Sequence, residues 1–133
     1  MIDEVEGLKA LLSPPFFGGF GDLIYVTFTR YTVTLMFERG KSNILVASAC
    51  EICCPSGDVW TWEPERLGDM IGDMRGFGRL LEAKIRKHEV LPGVRLRLTF
   101  SNGCRLLLCK HDSGHESFII DKKEGPGAAY IVV

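Results

Sequence analysis

The sequence predicts an α+β fold in which a large, curved and mostly antiparallel β-sheet is built from two repeated hairpin units. Apolar and polar residues alternate at residues 32–38 and 94–100, which is typical of strands with one buried face. The segments VTLMFERG and LRLTFSNG match in role, with Phe37 corresponding to Phe100 and Gly40 to Gly103. Helical spacing is confined to the N-terminus and to the segment between the two units.

The length of the chain indicates one domain. Its 133 residues leave little room for a second domain, and they are enough to bury a sizeable core. The hydrophobic fraction of 46% and the charged fraction of 25% are ordinary for a globular protein and argue against disorder. We therefore expect a single domain over residues 1–133, with repeats at about 22–62 and 80–120.

Two helices are predicted. Ile2, Val5, Leu8 and Leu12 form one apolar stripe at helical spacing, which predicts a helix over residues 2–12 that ends before Pro14. Residues 63–74 predict a short linking helix, since Pro64 suits its first turn.

Nine strands are predicted from alternation and from β-branched and aromatic residues. The Asn102-Gly103 pair is a strong signal for a hairpin between two of them. The strands are expected at residues 23–28, 32–38, 43–48, 58–62, 80–88, 94–100, 104–110, 115–120 and 128–133.

Charge and cysteine content limit which partners and which cellular compartment we expect for this protein. A net charge of −1 argues against a nucleic-acid partner, which usually requires a basic surface. The acidic N-terminus does not resemble a signal peptide, and no stretch reaches the roughly 20 apolar residues of a membrane helix. We therefore expect a cytoplasmic protein that does not bind membranes and whose five cysteines are free thiols.

A metal site is a minor alternative. Two thiolates at the spacing of Cys50 and Cys53 can share one zinc ion, and His111 and His115 follow the second hairpin at the matching point. No second Cys-x-x-Cys pair occurs, and the spacing fits no standard zinc finger. The expectation is therefore no metal and no cofactor, with these four residues as the ligands if a metal binds.

The chain contains no motif of a known catalytic site. Cys109 lies two residues from His111, but that spacing on a strand does not select a substrate geometry. No nucleophile elbow, phosphate-binding loop or zinc-protease motif occurs. We therefore expect a protein that is not an enzyme.

A partner-binding surface is the favoured hypothesis for the aromatic strand at residues 58–62. Trp60 and Trp62 lie on one strand face with acidic residues beside them, a combination found at protein interfaces. Two tryptophans on one strand face also commonly complete a core, and that alternative stays open. The candidate contact residues are Asp58, Trp60, Trp62, Glu63, Glu65, Asp112, His115 and Glu116.

The second half of the chain resembles a family of small bacterial domains found among the immunity proteins of polymorphic and contact-dependent toxin systems. The similarity lies in WEPERLGDMIG, LRLTFSNGCRLLL and HESFII, covers residues 60–133, and extends weakly over residues 20–50. The matched positions are Phe100, Asn102, Gly103, Glu116, Ser117 and Phe118.

The resemblance implies a cytosolic protein that binds one cognate toxin, expected to be a nuclease, and neutralises it. Acidic residues would steer a basic partner toward the surface. Two alternatives remain: a small metal- or ligand-binding β domain, and a structural module that forms a homodimer. The oligomeric state is not determined by the sequence.

Overall fold

The computed structural model describes residues 3–13, 16–38, 42–64, 70–110, 116–123 and 129–133. It contains two α-helices, one 3₁₀ turn at Phe16–Gly19 and ten strands. No helix among the described residues is long and apolar enough to cross a membrane. The elements are α1 (Glu4–Leu11), β1 (Leu23–Phe28), β2 (Val33–Phe37), β3 (Asn43–Val46), β4 (Cys50–Cys53), β5 (Val59–Trp62), α2 (Met70–Gly78), β6 (Ile85–Leu91), β7 (Arg95–Phe100), β8 (Arg105–Leu108), β9 (Phe118–Lys122) and β10 (Ala129–Val132).

The α+β class is confirmed, and the strands are divided between two antiparallel sheets. Sheet one has the order β1-β2-β3-β9-β10, and sheet two has the order β5-β4-β8-β7-β6. An isolated bridge between Asp22 and Lys84 joins the sheets where β1 and β6 begin. The strands therefore form two five-stranded sheets that meet at this corner, where the sequence predicted one large curved sheet.

Each sheet combines strands from both halves of the chain. Three consecutive strands from one half pair with a hairpin from the other half, so β9–β10 complete the first sheet and β4–β5 complete the second. The registers also match, because Leu23 lies opposite Phe37 and Ile85 opposite Phe100, each beside an irregularity in the pairing. We call two residues equivalent when they occupy the same place in these matching registers.

The strand β4 was not predicted from the sequence. The segment from Cys50 to Cys54 has no turn residue and alternates in burial, with Cys50 and Ile52 facing inward. Its pairing with β8 makes β4 the equivalent of β9, and β5 the equivalent of β10. The predicted repeats at about 22–62 and 80–120 therefore do not end on equivalent strands, since the first reaches β5 and the second reaches β9.

Two further boundaries differ from the prediction. The helix α2 continues to Gly78, past the predicted end at residue 74, because Phe77 is buried in the core. Turns then occupy residues 79–82, where Glu82 has a positive φ of 66°, so β6 starts at Ile85 and not at residue 80.

The core lies between the inner faces of the two sheets. The residues that alternate inward on β2 and β7 are fully buried and include the equivalent pair Phe37 and Phe100. Phe20 packs against Phe37 with the ring centroids 5.2 Å apart. Burial of these large side chains supplies most of the driving force for folding.

One disulfide corrects the expectation of five free thiols. Cys54 and Cys104 are joined, and their Cα atoms are 4.1 Å apart. Cys54 follows β4 and Cys104 precedes β8, and these two strands pair in sheet two, so the fold brings together two cysteines that are 50 residues apart. The three other cysteines, Cys50, Cys53 and Cys109, are outside the disulfide.

The predicted Asn-Gly hairpin is confirmed. Gly103 has a φ of +89°, which favours glycine, and a Cβ atom at this position would lie only 2.8 Å from Cγ of Pro55. Both the backbone conformation and the limited space therefore favour glycine here. Asn102 accepts a hydrogen bond from the N–H of Cys104 at 3.0 Å and donates one to the carbonyl of Arg79 at 2.6 Å. The turn therefore holds Cys104 in place beside Cys54.

Candidate functional site

The two tryptophans of β5 belong to the packed interior and its margin. Trp62 is buried with 5% of its surface exposed. Trp60 is half-buried against α2, and the Arg79 guanidinium lies 5.7 Å from the centre of its ring. The core alternative from the sequence therefore describes Trp62, and Trp60 packs at a helix–sheet contact.

The predicted acidic residues do not form one patch in the described part of the chain. Asp58 and Glu63 are exposed at opposite ends of β5 in sheet two, whereas Glu116 is exposed just before β9 of sheet one. Asp58 also accepts a hydrogen bond from the Ser56 hydroxyl at 2.9 Å and lies 3.9 Å from Arg79. Glu65, Asp112 and His115 lie outside the described residues.

The candidate metal ligands on β4 point in opposite directions. Successive residues of a strand alternate between faces, so Cys50 is buried on the inner face and Cys53 lies on the outer face. No group of three or more potential ligands occurs among the described residues, and His111 and His115 lie outside them. Cys50 and Cys53 therefore cannot share an ion in this arrangement.

The surroundings of Cys53 and Cys109 favour the protonated thiol over the thiolate. The Cys53 thiol donates a hydrogen bond to the Glu51 carboxylate at 3.1 Å, and this bond, together with burial, raises the pKa of Cys53. Burial raises the pKa of Cys109. Because the thiolate is the nucleophile, both environments disfavour thiol chemistry near neutral pH.

The residues that carry the family resemblance are structural where the structure describes them. Phe100, Ser117 and Phe118 are buried, and Asn102 and Gly103 form the hairpin turn. Glu116 is the exposed exception. The resemblance therefore rests mainly on residues that shape the fold.

The outer face of sheet two is charged. Arg97 donates a hydrogen bond to Glu89 directly across the β6–β7 pair at 2.9 Å, and Lys87 lies 3.6 Å from the same carboxylate. The hydrogen bond from Arg97 is the main cause of the lowered pKa of Glu89. Glu51 and Arg105 extend this charged surface onto β4 and β8.

The outer face of sheet one is largely apolar. Tyr130 is 66% exposed on one edge strand, and Tyr25 is 47% exposed on the other. We call this the apolar face; it consists of Tyr25, Thr27, Thr34, Met36, Asn43, Leu45, Ile119, Asp121, Tyr130 and Val132. Its one carboxylate, Asp121, pairs with Lys123 at 2.7 Å.

Equivalent positions make the contrast between the two outer faces explicit. Tyr25 of sheet one is equivalent to Lys87 of sheet two, because each is the first residue of its strand that is paired again after the irregularity in the register. Thr34 is equivalent to Arg97 and Ile119 to Glu51. At these three positions sheet two carries charged residues where sheet one carries uncharged ones, whereas Asp121 of sheet one is equivalent to the uncharged Cys53.

The sequence contains a signal for the apolar face that the strand analysis did not use. Strands with one solvated face alternate between apolar and polar residues, as β7 does. In contrast, β3 places Leu45 between two inward apolar residues, and β9 begins with the unbroken run Phe118, Ile119 and Ile120. A similar run, from Leu106 to Leu108, occurs on β8 of sheet two, so the signal for this surface is that two neighbouring strands, β3 and β9, both carry apolar residues on both faces.

Comparison with protein-family models, with curated proteins and with solved structures finds no match for this chain. Since fold alone does not determine function, the surfaces described above are the basis for a functional proposal.

Proposed function

We propose that this protein is an immunity protein that binds a cognate bacterial toxin, a nuclease effector, and neutralises it in the cytosol. The observation that carries the proposal is the apolar face of sheet one. Contiguous exposed apolar surface is uncommon on a domain that acts alone, and it is typical of protein interfaces. The proposal adopts the function that the family resemblance implies and assigns it to a different surface from the one favoured by the sequence.

The composition of the apolar face suits a protein partner. Tyrosine is enriched among residues that dominate binding energy, and Tyr25 and Tyr130 stand at the two edges of the sheet. Charged residues are depleted at interface centres, and Asp121 already has Lys123 as a partner. A partner can therefore cover this face without stripping water from an unpaired charge.

The dimensions of the face also suit a protein partner. Five strands spaced about 4.8 Å apart span roughly 20 Å. Such a face can form the centre of a standard interface, which buries about 800 Å² on each partner. Loops around the sheet would supply the remaining contacts.

The fold itself does not require this apolar surface. Sheet two has the same strand order and carries Lys87, Arg97 and Glu51 at equivalent outer positions. Because uncharged residues are not needed to form a sheet of this kind, their concentration on sheet one favours a role in binding.

Neutralisation in this proposal occurs by covering the toxin and involves no catalysis by the immunity protein. The raised pKa values of Cys53 and Cys109 support this, since neither thiol is activated as a nucleophile. No cofactor is needed for a mechanism of this kind.

A matched pair of substitutions tests the proposal. Tyr130 and Val59 are equivalent residues on the edge strands of sheet one and sheet two, and they are 66% and 56% exposed. Tyr130→Asp is expected to weaken binding of the toxin encoded beside this gene by at least ~30-fold and to abolish rescue of cells that express it. Val59→Asp is expected to leave affinity within about threefold, because surface changes outside an interface have small effects.

Two results would overturn the proposal. One is failure of the wild-type protein to bind or neutralise the neighbouring toxin. The other is an equal loss of affinity in both variants. Light scattering measures whether the protein is a homodimer. A homodimer that dissociates in Tyr130→Asp would assign the apolar face to a second copy of the chain instead of the toxin.

A further inference from the structure

Each helix spans the gap between an edge strand of one sheet and an edge strand of the other. The helix α2 contacts β5, and its Phe77 packs against Phe28 of β1 with the ring centroids 5.6 Å apart. The helix α1 contacts β6, and its Leu8 and Leu11 face the end of β10. We call these two regions the α2 seam and the α1 seam.

The α2 seam is closed. A Cβ atom at Gly76 would lie 2.7 Å from Cβ of Trp60, so the helix and the strand approach as closely as glycine allows. Phe77 is buried beside them, and the space that Trp60 and Phe77 line among the described residues has no room for a water molecule.

The α1 seam is open. It contains a cleft of about 320 Å³, which lies at the lower end of the volumes of small-molecule sites. Ile131 on β10 is equivalent to Trp60 on β5, because they lie opposite Ile120 and Ile52 respectively. Because the Ile131 side chain is smaller than the Trp60 indole, the α1 seam keeps a space that the indole fills in the α2 seam. The cleft is lined by Glu4, Gly7, Leu8, Leu11, Val94, Lys110, Ile131, Val132 and Val133.

The cleft has one polar end. The Lys110 ammonium lies 2.6 Å from the Glu4 carboxylate, and the other side chains that line the cleft among the described residues are aliphatic. Glu4 is 65% exposed, and an ion pair this open to solvent is weakly held. A ligand anion can therefore replace the Glu4 carboxylate on Lys110 at little cost.

The cleft is also bordered by a strained residue. Val94 has a φ of 54°, in the left-handed region that β-branched residues rarely adopt. Among the described residues, only Glu82 is another non-glycine residue with positive φ. Such conformations persist where the surrounding structure holds them, and they concentrate at ligand sites.

We propose that the α1 seam binds a small amphipathic anion, with an unbranched apolar tail between α1 and β10 and a carboxylate on Lys110. The open volume and aliphatic lining select the tail, and the single ammonium selects the charged group. The cleft shares Val132 with the apolar face, but none of the substitutions that test the cleft lies on that face, so either proposal can fail without the other.

Decanoate is the probe, with decanol as the uncharged control and decyltrimethylammonium as the cationic control. Calorimetry measures affinity, and amide chemical shifts locate the site. Decanoate is expected to bind and to shift the amides of Leu8, Leu11, Val94 and Ile131 most strongly. Decanol is expected to bind at least ~10-fold more weakly, because it lacks the charge-assisted contact with Lys110.

Three variants test the individual contacts. Lys110→Gln is expected to weaken decanoate binding at least ~10-fold while leaving decanol unchanged. Leu11→Gln is expected to weaken both ligands, and Leu81→Gln is the matched control because Leu81 is an exposed leucine that does not line the cleft. Ile131→Trp is expected to abolish binding by filling the cleft as Trp60 fills the α2 seam. Thermal unfolding shows which variants are folded, and Leu11→Gln provides the test if Ile131→Trp is not.

The proposal is overturned if decanoate does not bind, if shifts spread evenly over the protein, or if Lys110→Gln and Leu11→Gln bind decanoate as the wild type does. Equal affinity for decanol, decanoate and the cation would refute the role of Lys110. Cleft shifts that depend on protein concentration without ligand would assign the seam to a second copy of this chain.

Discussion

The two sheets share strand order, register and buried faces, yet their outer faces differ in chemistry. Inward positions carry large apolar residues in both, such as Phe37 in sheet one and Phe100 in sheet two. Outward positions carry Tyr25 and Ile119 in one sheet and Lys87 and Glu51 in the other. The inner faces therefore specify this architecture, while each outer face is free to serve solubility or binding.

A second contrast concerns the way in which each sheet is tied to the hairpin from the other half of the chain. In sheet two the tie is the Cys54–Cys104 disulfide. In sheet one, the hydroxyl of buried Ser42, the equivalent of Cys104, accepts a hydrogen bond at 3.1 Å from the N–H of Lys123, one residue beyond the equivalent of Cys54. The same junction is thus covalent in one sheet and non-covalent in the other.

Producing residues 1–64 and residues 65–133 as two separate chains is expected to have the largest effect. Each sheet then lacks the two strands that the other half of the chain supplies, because β4–β5 lie in the first fragment and β9–β10 in the second. Circular dichroism and amide spectra should show two unfolded fragments that form a folded 1:1 complex when mixed. A folded spectrum from residues 65–133 alone would contradict this, and an uncut chain with a flexible insertion at the same point is the control.

Reduction of the disulfide is expected to have an intermediate effect. The bond joins residues 50 apart, and closing a loop of that size stabilises a protein by about 4 kcal/mol in the chain-entropy model, with measured effects of about 2–4 kcal/mol. Denaturant unfolding with and without reductant measures the loss. The loss should persist in Cys109→Ala and disappear in the double variant Cys54→Ala/Cys104→Ala.

The same cysteines test the proposed location. Thiols trapped by rapid acid quenching and alkylation in cells report whether Cys54 and Cys104 are oxidised there. Disulfides are rare in the cytosol, so a fully oxidised pair would count against a cytosolic immunity protein.

Removal of the Glu89 carboxylate is expected to have the smallest effect. Glu89→Gln breaks the cross-strand pair with Arg97, whereas the equivalent pair in sheet one, Thr27 and Thr34, carries no charge. Because the pair is partly exposed, the loss of unfolding free energy at neutral pH should stay below about 1 kcal/mol.

This loss should also depend on pH in a defined direction. The pKa of Glu89 is lowered in the folded state, so its stabilising effect is present above the ordinary glutamate pKa and is lost as the pH falls through the lowered value. Thermal unfolding of wild type and Glu89→Gln should differ at pH 7 and converge in acid. Thr27→Val is the matched control in sheet one, and its effect should not change over this range.

Local patterns were sufficient where neighbouring residues decide the structure. The alternation in β7 and the Asn102-Gly103 turn predicted one hairpin, and the apolar stripe with Leu8 predicted the first helix. The strand β4 was missed because CEICC resembles a metal-binding loop when it is read alone. Its identity as a strand depends on pairing with β8, which lies more than 50 residues further along the chain.

The candidate site was harder to predict because burial depends on partners distant in sequence. In the sequence, Trp60 and Trp62 resemble interface anchors. In the structure they lie on the inner face of sheet two, where Trp62 is buried and Trp60 packs against the helix α2. The reverse holds for Ile119 and Tyr130, which look like ordinary strand residues. They share an open surface with Leu45 and Tyr25 only because β9 pairs with β3 from the first half of the chain.

Periodicity and turn preferences within a few residues were enough to predict the α+β class, the helix at the N-terminus, most strands and the Asn-Gly hairpin. The tertiary structure alone decided the exchange of hairpins between halves, the pairing of Cys54 with Cys104, and the contrast between an apolar and a charged outer face. Those features arise from strand pairing over long distances in sequence, and the competition among possible pairings is settled only by the packing of the whole core.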